Sequence, residues 1–244
     1  MLFRSQDKLA KLNSVDHAFF RVERKYSADL GDNVMTCLVF TTEMRTLQGT
    51  YPLLMQRIEG VAGPMPVALM GLEKNENLFL DESDSGWTTE IIPLMMQKGP
   101  FYIAKEQDSS GATRNVIALD EKHPKLGLEN GERLFSDAGG YSDHLERIIA
   151  LLENIEASHP HTVEFVAALD ALDLITPLDF TCTLNDGSAH TLTGFFGVDE
   201  DVLQRLSEDA LSALHQKGFL LPLFMMLASQ SQVSRLLAVK NGKL

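Results

Sequence analysis

Short apolar runs separated by glycine, proline and polar residues fill the first half of the chain. Such runs predict β-strands. They lie at residues 34–40, 53–58, 66–72, 78–80, 101–104 and 116–119. Runs this short and this close in sequence favour an antiparallel or mixed sheet over repeated βαβ units, because parallel strands need long crossovers. Two helices are predicted between the strands, at about residues 42–48 and 88–97.

After residue 140 the apolar residues recur at helical spacing. Ser142 is expected to cap the first helix, because its hydroxyl can accept a backbone N–H of the first turn. Pro160 predicts the end of this helix, since proline has no backbone N–H to donate. A second helix is predicted from about Thr162, and it ends before Pro177.

An Asn-Asp-Gly step between two apolar runs predicts a β-hairpin in the C-terminal half. The strands are expected at residues 180–184 and 190–196, and Gly187 supplies the positive φ that the turn requires. Asp199 and Ser207 are predicted to cap the two short helices that follow.

The last predicted helix covers about residues 219–239. Its first part, residues 219–227, is apolar on nearly every side. We expect this part to lie inside the helical half or to form a self-association interface. The polar segment 229–234 is expected to emerge to solvent.

Together these elements predict an α+β fold. Its mixed or antiparallel sheet comes mainly from the N-terminal half, whereas the C-terminal half supplies the helices and one β-hairpin. We expect a sheet-rich subdomain at residues 1–138 and a helical subdomain with the hairpin at residues 139–244, docked closely as two subdomains or one domain.

Charge narrows the range of partners. The chain has 244 residues and a formal charge of −13, from 34 acidic and 21 basic residues. A field of this sign repels phosphate backbones and anionic lipid headgroups, so neither nucleic acid nor a membrane surface is expected to bind.

Hydropathy predicts the location. The segment from Met1 to His17 lacks the apolar core of a signal peptide. The most apolar run, from Gly218 to Ala228, is shorter than the ~20 residues that a membrane-spanning helix needs. We therefore expect a cytoplasmic protein with no membrane span.

The chain has two cysteines, Cys37 and Cys182, and both lie in apolar strand patterns. They are predicted to be buried free thiols in a reducing compartment, where such thiols are usually inert.

The first candidate binding residue is Trp87, the only tryptophan. It follows an acidic stretch that begins at Asp81 and has Gly86 at the position a calcium loop requires. Such a loop also needs a bidentate glutamate at its twelfth position, where the chain has Ile92. We therefore expect a solvated turn that Trp87 anchors onto the sheet, with stacking on a ligand as the alternative.

The adjacent carboxylates of Asp120 and Glu121 are the second candidate, because they close a predicted strand. They could bind a ligand or act as a general acid and base. Adjacent residues of an extended chain face opposite sides, which favours a plain strand end.

No motif predicts a metal or a cofactor. His159 and His161 flank a proline with no other ligand at a suitable spacing, and His144 and Glu146 would point away from each other on a helix. A nucleophile elbow, a Walker loop and a dinucleotide-binding fingerprint are all absent from the sequence. We expect no metal and no cofactor.

An ordered set of segments resembles the SapC family of bacterial proteins. In the N-terminal half the segments are YPLL from Tyr51, PVALMGLEKNENLFLDESDSGW from Pro66, PLMMQKGPFYIA from Pro93, VIALDEKHPKL from Val116 and NGERLFSDAGG from Asn130. In the C-terminal half they are TVEFVAALDALDLITPL from Thr162 and LNDGSAHTLTGFFGVDEDVLQRL from Leu184. The resemblance covers roughly residues 15–238.

The resemblance implies which genes lie nearby, but it does not identify a reaction or catalytic residues. Family members are often encoded beside TonB-dependent receptors, halogenase-like proteins and cupin-like proteins, and the family brings no established catalytic residues. Our first hypothesis is an accessory or binding protein that works with a protein partner encoded nearby. The alternative is an enzyme that acts on an amino acid or peptide through a site not visible as a motif. The missing catalytic motifs favour the first hypothesis.

Overall fold

The computed structural model describes residues 9–107 and 111–243. The strands in these ranges are β1 (Ala10–Lys11), β2 (Arg21–Val22), β3 (Thr36–Leu38), β4 (Leu53–Arg57), β5 (Pro64–Leu69), β6 (Phe101–Gln107), β7 (Thr113–Leu119), β8 (Leu126–Gly127), β9 (Glu132–Arg133), β10 (Ile175–Thr183) and β11 (Ala189–Val198). The helices are α1 (Met44–Leu47), α2 (Leu94–Gln97), α3 (Asp143–Asp170), α4 (Glu200–Gln204), α5 (Glu208–Gln216), α6 (Leu220–Ser229) and α7 (Gln232–Asn241). The α+β prediction is confirmed, with antiparallel strand pairs.

The chain forms two compact units, each built from separate segments. Of the described residues, the first unit takes 9–33, 80–88, 94–107 and 111–157. The second takes 34–79, 89–93 and 158–243. The division into subdomains at residue 138 stays a prediction.

The first unit holds two small antiparallel sheets. β7 lies between β1 and β6, and β2 lies between β8 and β9. β6 and β7 pair from Phe101↔Leu119 to Gln107↔Thr113, and residues 108–110 between them lie outside the described ranges. Apolar side chains from the sheets and from the start of α3 form one core, which joins Val22, Phe101, Leu119, Leu134, Phe135, Leu145, Ile148 and Leu152.

The second unit is built on one sheet with the strand order β10-β11-β4-β5-β3. The Thr36 hydroxyl of β3 donates to Gln56 Oε1 of β4 at 3.0 Å, although β5 lies between the two strands. The predicted hairpin is present as β10 and β11, and Gly187 at its turn has φ 86°. Both predicted caps are confirmed, with Asp199 accepting from Val202 N and Ser207 from Ala210 N.

The predicted helix break at Pro160 is wrong, because α3 continues through it. The missing N–H of proline weakens a helix locally, but neighbouring side chains are fixed by bonds within the second unit. Thr162 Oγ1 donates to Ser158 O at 2.9 Å and accepts from Thr41 N at 3.1 Å. The Thr42 hydroxyl donates to Ser158 Oγ at 2.8 Å. These contacts offset the lost backbone bond.

Two more predicted elements are shorter than expected. Of the predicted strand 78–80, only Leu80 pairs, in a single bridge to Trp87, and Asn77 Oδ1 accepts from Phe79 N in a turn. The helix predicted at 88–97 begins at Leu94. The Thr89 hydroxyl closes a non-helical turn by accepting from Ile91 N at 3.1 Å, and the residue before a proline avoids the α conformation.

The last predicted helix is divided into α6 and α7. Ser231 Oγ donates to Ala228 O at the break, where a hydroxyl competes with the helical bond. The expected exposure of the segment from residue 229 is wrong for Ser229, which is fully buried. Its hydroxyl accepts from Leu53 N at 2.8 Å and donates to Met226 O at 2.6 Å, which ties α6 to β4.

Candidate functional site

Trp87 anchors the acidic turn of the first unit. Its side chain is 3% exposed and meets the Tyr26 ring edge to face, with centroids 5.1 Å apart. Tyr26 N donates to Ser85 O at 2.9 Å, and a Cβ at Gly86 would lie 1.8 Å from Tyr26 O, so only glycine fits there. The turn is closed by Asp81 Oδ1, which accepts from Ser83 N. The ligand role of Trp87 stays a prediction.

Asp120 and Glu121 do not converge on one point. Asp120 is buried, and its Oδ1 accepts from Lys122 N at 3.2 Å in the turn that follows β7. Glu121 is exposed, and its Oε1 lies 3.3 Å from Nε2 of the buried His17. The pair therefore closes a strand end, and its ligand role also stays a prediction.

A buried ion pair, which sequence reasoning missed, lies beside these residues. Lys125 Nζ is 2.9 Å from Asp32 Oδ1, and the two side chains are 4% and 6% exposed. The ammonium lies 3.9 Å from the centroid of the Tyr26 ring, which is a cation–π contact. Ser27 N donates to the second Asp32 oxygen at 2.9 Å. No sequence motif marks this pair, because its members come from distant segments.

Burial shifts the pKa of both Asp32 and Lys125. It raises the pKa of Asp32, and the nearby charge of Lys125 opposes that shift. It lowers the pKa of Lys125, against the opposing charge of Asp32. Shifted ionisable groups beside a concave surface are typical of functional sites as well as of structural ion pairs.

A groove of about 470 Å³ adjoins this ion pair, and we call it the lysine groove. Apolar and acidic side chains line it alongside Lys125, namely Glu23, Leu30, Pro124, Leu126, Leu128 and Glu129. Its volume falls within the usual range for small-ligand sites.

The second unit contains a cavity of about 430 Å³, which we call the edge cavity. Residues 189–193 of β11 line it in unbroken succession, opposite Met35, Gln56 and Leu72. Successive side chains of a strand point to opposite faces. A consecutive run can therefore line one cavity only through the backbone edge of the strand.

The hydrogen-bond pattern shows which backbone groups face the edge cavity. Leu184 N donates to Ser188 O across the hairpin at 2.8 Å, and antiparallel bonding recurs at every second residue. His190 and Leu192 therefore bond to β10, whereas Thr191 turns its N–H and C=O away from β10. The Thr191 hydroxyl lies 3.1 Å from that of Thr181, as expected for a closely spaced pair without backbone bonds.

β4 covers only the far end of this edge. It pairs with β11 at Phe195↔Gln56 and Phe196↔Met55. Within the described ranges, the outward backbone groups of Thr191 thus meet no neighbouring strand. Sequence reasoning could not find this feature, because a missing strand pair leaves no local signal.

Charged side chains lie at the mouth of the edge cavity. Glu73 Oε1 is 2.8 Å from Lys240 Nζ and 3.5 Å from Nδ1 of His190, a residue that also lines the cavity. The hydrogen bond from Lys240 lowers the pKa of Glu73, and bonding to Glu73 raises the pKa of Lys240.

A thiol also lies near this mouth, but it is not activated. Cys182 is the direct cross-strand partner of His190. Burial raises the pKa of the Cys182 thiol, whereas a nucleophilic cysteine needs a lowered pKa. Cys37 lies on β3, at the other end of the strand order from β10. Neither cysteine forms a disulfide, and both are buried, as predicted.

In the part of the chain that the structure describes, no three His, Cys, Asp or Glu side chains are grouped as a metal site. Within the same ranges, no single helix has the length and apolar character to cross a membrane. The segments Glu208–Gln216 and Leu220–Asn241 reach that length only as a pair bent by 98°.

The sequence model of the SapC family matches residues 12–236. The chain belongs to the SapC family. The matched span includes both the lysine groove and the edge cavity, so each is a feature of the SapC region. No curated protein and no solved structure matches the chain.

Proposed function

We propose that this SapC-family protein is a non-enzymatic accessory protein that binds an extended peptide segment of a protein partner. The free edge of β11 at the edge cavity is the observation that carries this proposal. An unpaired strand edge presents alternating N–H and C=O groups, which another extended chain satisfies. Thr191 and its neighbours supply these groups, and the cavity supplies room for side chains.

The other free edge of the same hairpin is less suited to strand addition. β10 ends the strand order, but Pro177 lies on it. Prolines and bulges are the usual protection of an edge against pairing. The edge of β11 has no proline between Ala189 and Thr193, and its bulge, where Thr193 and Gly194 face the single Asp179, lies at the end of that run.

The lining of the edge cavity combines polar and apolar groups. Leu72, Leu192 and Phe195 lie at its base, whereas Gln56, Glu73 and Lys74 contribute polar groups. A peptide with both polar and apolar residues on its inward face would match this lining, while the formal charge of −13 disfavours a nucleic acid. We propose a partner encoded near the protein, beside TonB-dependent receptor, halogenase-like or cupin-like genes, and action in the cytoplasm. Cell fractionation that placed the protein mainly in the envelope would contradict that location.

Photo-crosslinking in the native cell tests the proposal. A p-benzoylphenylalanine at position 193 lies next to the place of an added strand and should crosslink one partner through a defined segment. Thr191→Pro removes an outward N–H and should abolish this crosslink. Thr181→Pro is the matched control, because Thr181 lies opposite Thr191 but faces the outer edge of β10. Equal crosslinking in the two variants would contradict the proposal.

An enzyme that acts on an amino acid or peptide is the alternative, and Cys182 beside His190 would be its nucleophile. The raised pKa of Cys182 argues against this role. We expect Cys182 to resist iodoacetamide at neutral pH until the protein unfolds. Alkylation of the folded protein faster than that of free cysteine would favour the enzyme.

A further inference from the structure

We propose that the lysine groove of the first unit is a second binding site, which takes an organic cation with an apolar body. This site is independent of the strand edge in the second unit. Its ligand class follows from the surface of the groove, the charges on its wall and the way its backbone is held.

The groove has an apolar surface that faces solvent. Leu30, Pro124, Leu126 and Leu128 contribute to it, and Leu128 is 64% exposed. A leucine this exposed beside other apolar groups favours a ligand with hydrocarbon surface, whose burial removes about 25 cal/mol per Å² of apolar area from water.

The charges on the wall favour a positive ligand. Glu23 and Glu129 line the groove, and neither forms an ion pair within the described ranges. The charge of Lys125 is offset by Asp32 at 2.9 Å. The wall therefore keeps two uncompensated negative charges. By contrast, the nearby Glu132 has Arg24 at 2.8 Å as a partner.

The groove is held in place by the surrounding backbone. Glu23 N donates to Lys125 O at 2.9 Å, which ties the segment after β2 to the floor of the groove. Arg21 Nη1 donates to Gly131 O at 2.8 Å, and a Cβ at Gly131 would lie 2.2 Å from Val22 O. The loop between β8 and β9 is thus fixed at its end, so binding need not order it.

Octylammonium is a suitable probe, with octanoate and octanol as probes of equal length and different charge. Titration of the full chain, followed by backbone NMR shifts, should show octylammonium binding at residues 126–130. The double variant Glu23→Gln/Glu129→Gln should weaken this binding about fivefold to tenfold, because two partly exposed ion pairs are lost. The control Glu146→Gln/Glu153→Gln removes the same charge from the exposed surface of α3 and should leave binding unchanged.

A second variant tests the apolar part of the site. Leu128→Ser should weaken octylammonium about threefold to tenfold and leave folding intact, because this side chain is exposed. The proposal is overturned if octanoate or octanol binds as tightly as octylammonium, if the glutamine pair has no effect, or if the shifts map outside the groove.

Discussion

The lysine groove and the edge cavity are similar in volume, but they differ in whether the polar groups beside them have bonding partners within the protein. The groove stands on a buried ion pair in which Lys125 and Asp32 satisfy each other. The cavity is bounded by a strand edge whose outward backbone groups meet no strand of the described chain. A satisfied ion pair supports a fixed shape, whereas an unpaired strand edge can be completed by an added strand. We therefore propose that a peptide binds at the cavity rather than at the groove.

The largest loss of stability is expected when the buried ion pair beside the groove is broken. Asp32→Ala leaves the Lys125 ammonium buried and unpaired, which should lower the free energy of unfolding by about 3–5 kcal/mol. Urea denaturation measures this loss. The double variant Asp32→Leu/Lys125→Met should recover most of it, because no charge remains buried.

A control variant separates the ion pair from the groove surface. Glu23→Ala changes an unpaired groove residue and should alter stability by no more than about 0.5 kcal/mol. If Asp32→Ala were as mild as this control, the ion pair would not support the groove.

The next largest loss of stability concerns a buried hydrogen bond of the second unit that lies away from the free edge of β11. Ser229→Ala leaves Leu53 N without its buried acceptor and should destabilise the protein by about 1–3 kcal/mol. Ser231→Ala is the control, since that hydroxyl is exposed and donates only to Ala228 O. Equal stability of the two variants in urea would show that the Ser229 bond does not hold α6 on β4.

A smaller loss of stability is expected when the more exposed ion pair of the second unit is removed than when the buried pair of the first unit is broken. Lys240→Met removes ion pairs with two carboxylates, Glu73 and Glu76, and should lower stability at pH 7 by up to about 1 kcal/mol, because Glu73 is half exposed and water screens its charge. The folded pKa of Glu73 is lowered, so the contribution is present above the unfolded value of about 4.3 and is lost as pH falls through the folded value.

Stability curves of Lys240→Met and the parent should therefore converge as the pH falls below about 4. Lys74→Met is the control, because this exposed neighbour forms no ion pair in the described ranges. A difference between Lys240→Met and the parent that persisted unchanged at pH 2 would exclude a carboxylate partner as its source.

The smallest effect concerns the outer face of α6. Leu221 and Phe224 are 51% and 48% exposed, whereas Met226 on the opposite face is buried. Phe224→Lys should change stability by no more than about 0.5 kcal/mol. Self-association through this face stays a prediction, and a stable dimer needs about 800 Å² per partner. We expect sedimentation to give the same mass for the parent protein and for Phe224→Lys. A lower mass for Phe224→Lys would show that this face forms an interface.

Local chemistry made part of the fold predictable. The β10–β11 hairpin follows from its turn, because Gly187 supplies a positive φ that most residues avoid. The helix caps Asp199 and Ser207 were equally predictable, since the side chain of each accepts from the backbone N–H three residues ahead. Where distant residues intervene, prediction fails. Pro160 stays helical because Thr41 and Thr42 hold its neighbours.

The candidate sites were less predictable for the same reason. The packing of Trp87 beside its turn follows a local pattern, a lone tryptophan next to a glycine turn, and its ligand role stays a prediction. Asp32 and Lys125 are distant in sequence, and only the folded chain brings them together. The free edge at Thr191 depends on where β4 stops pairing, which no window around Thr191 contains.

Amide hydrogen exchange along β11 in the folded full-length protein tests the free edge most directly. We predict that the Thr191 amide exchanges at least about a hundredfold faster than those of His190 and Leu192, which bond to β10. Addition of the crosslinked partner segment as a peptide should slow exchange at Thr191 alone among these three residues. Protection of Thr191 equal to that of His190 in the protein without a partner would contradict the account.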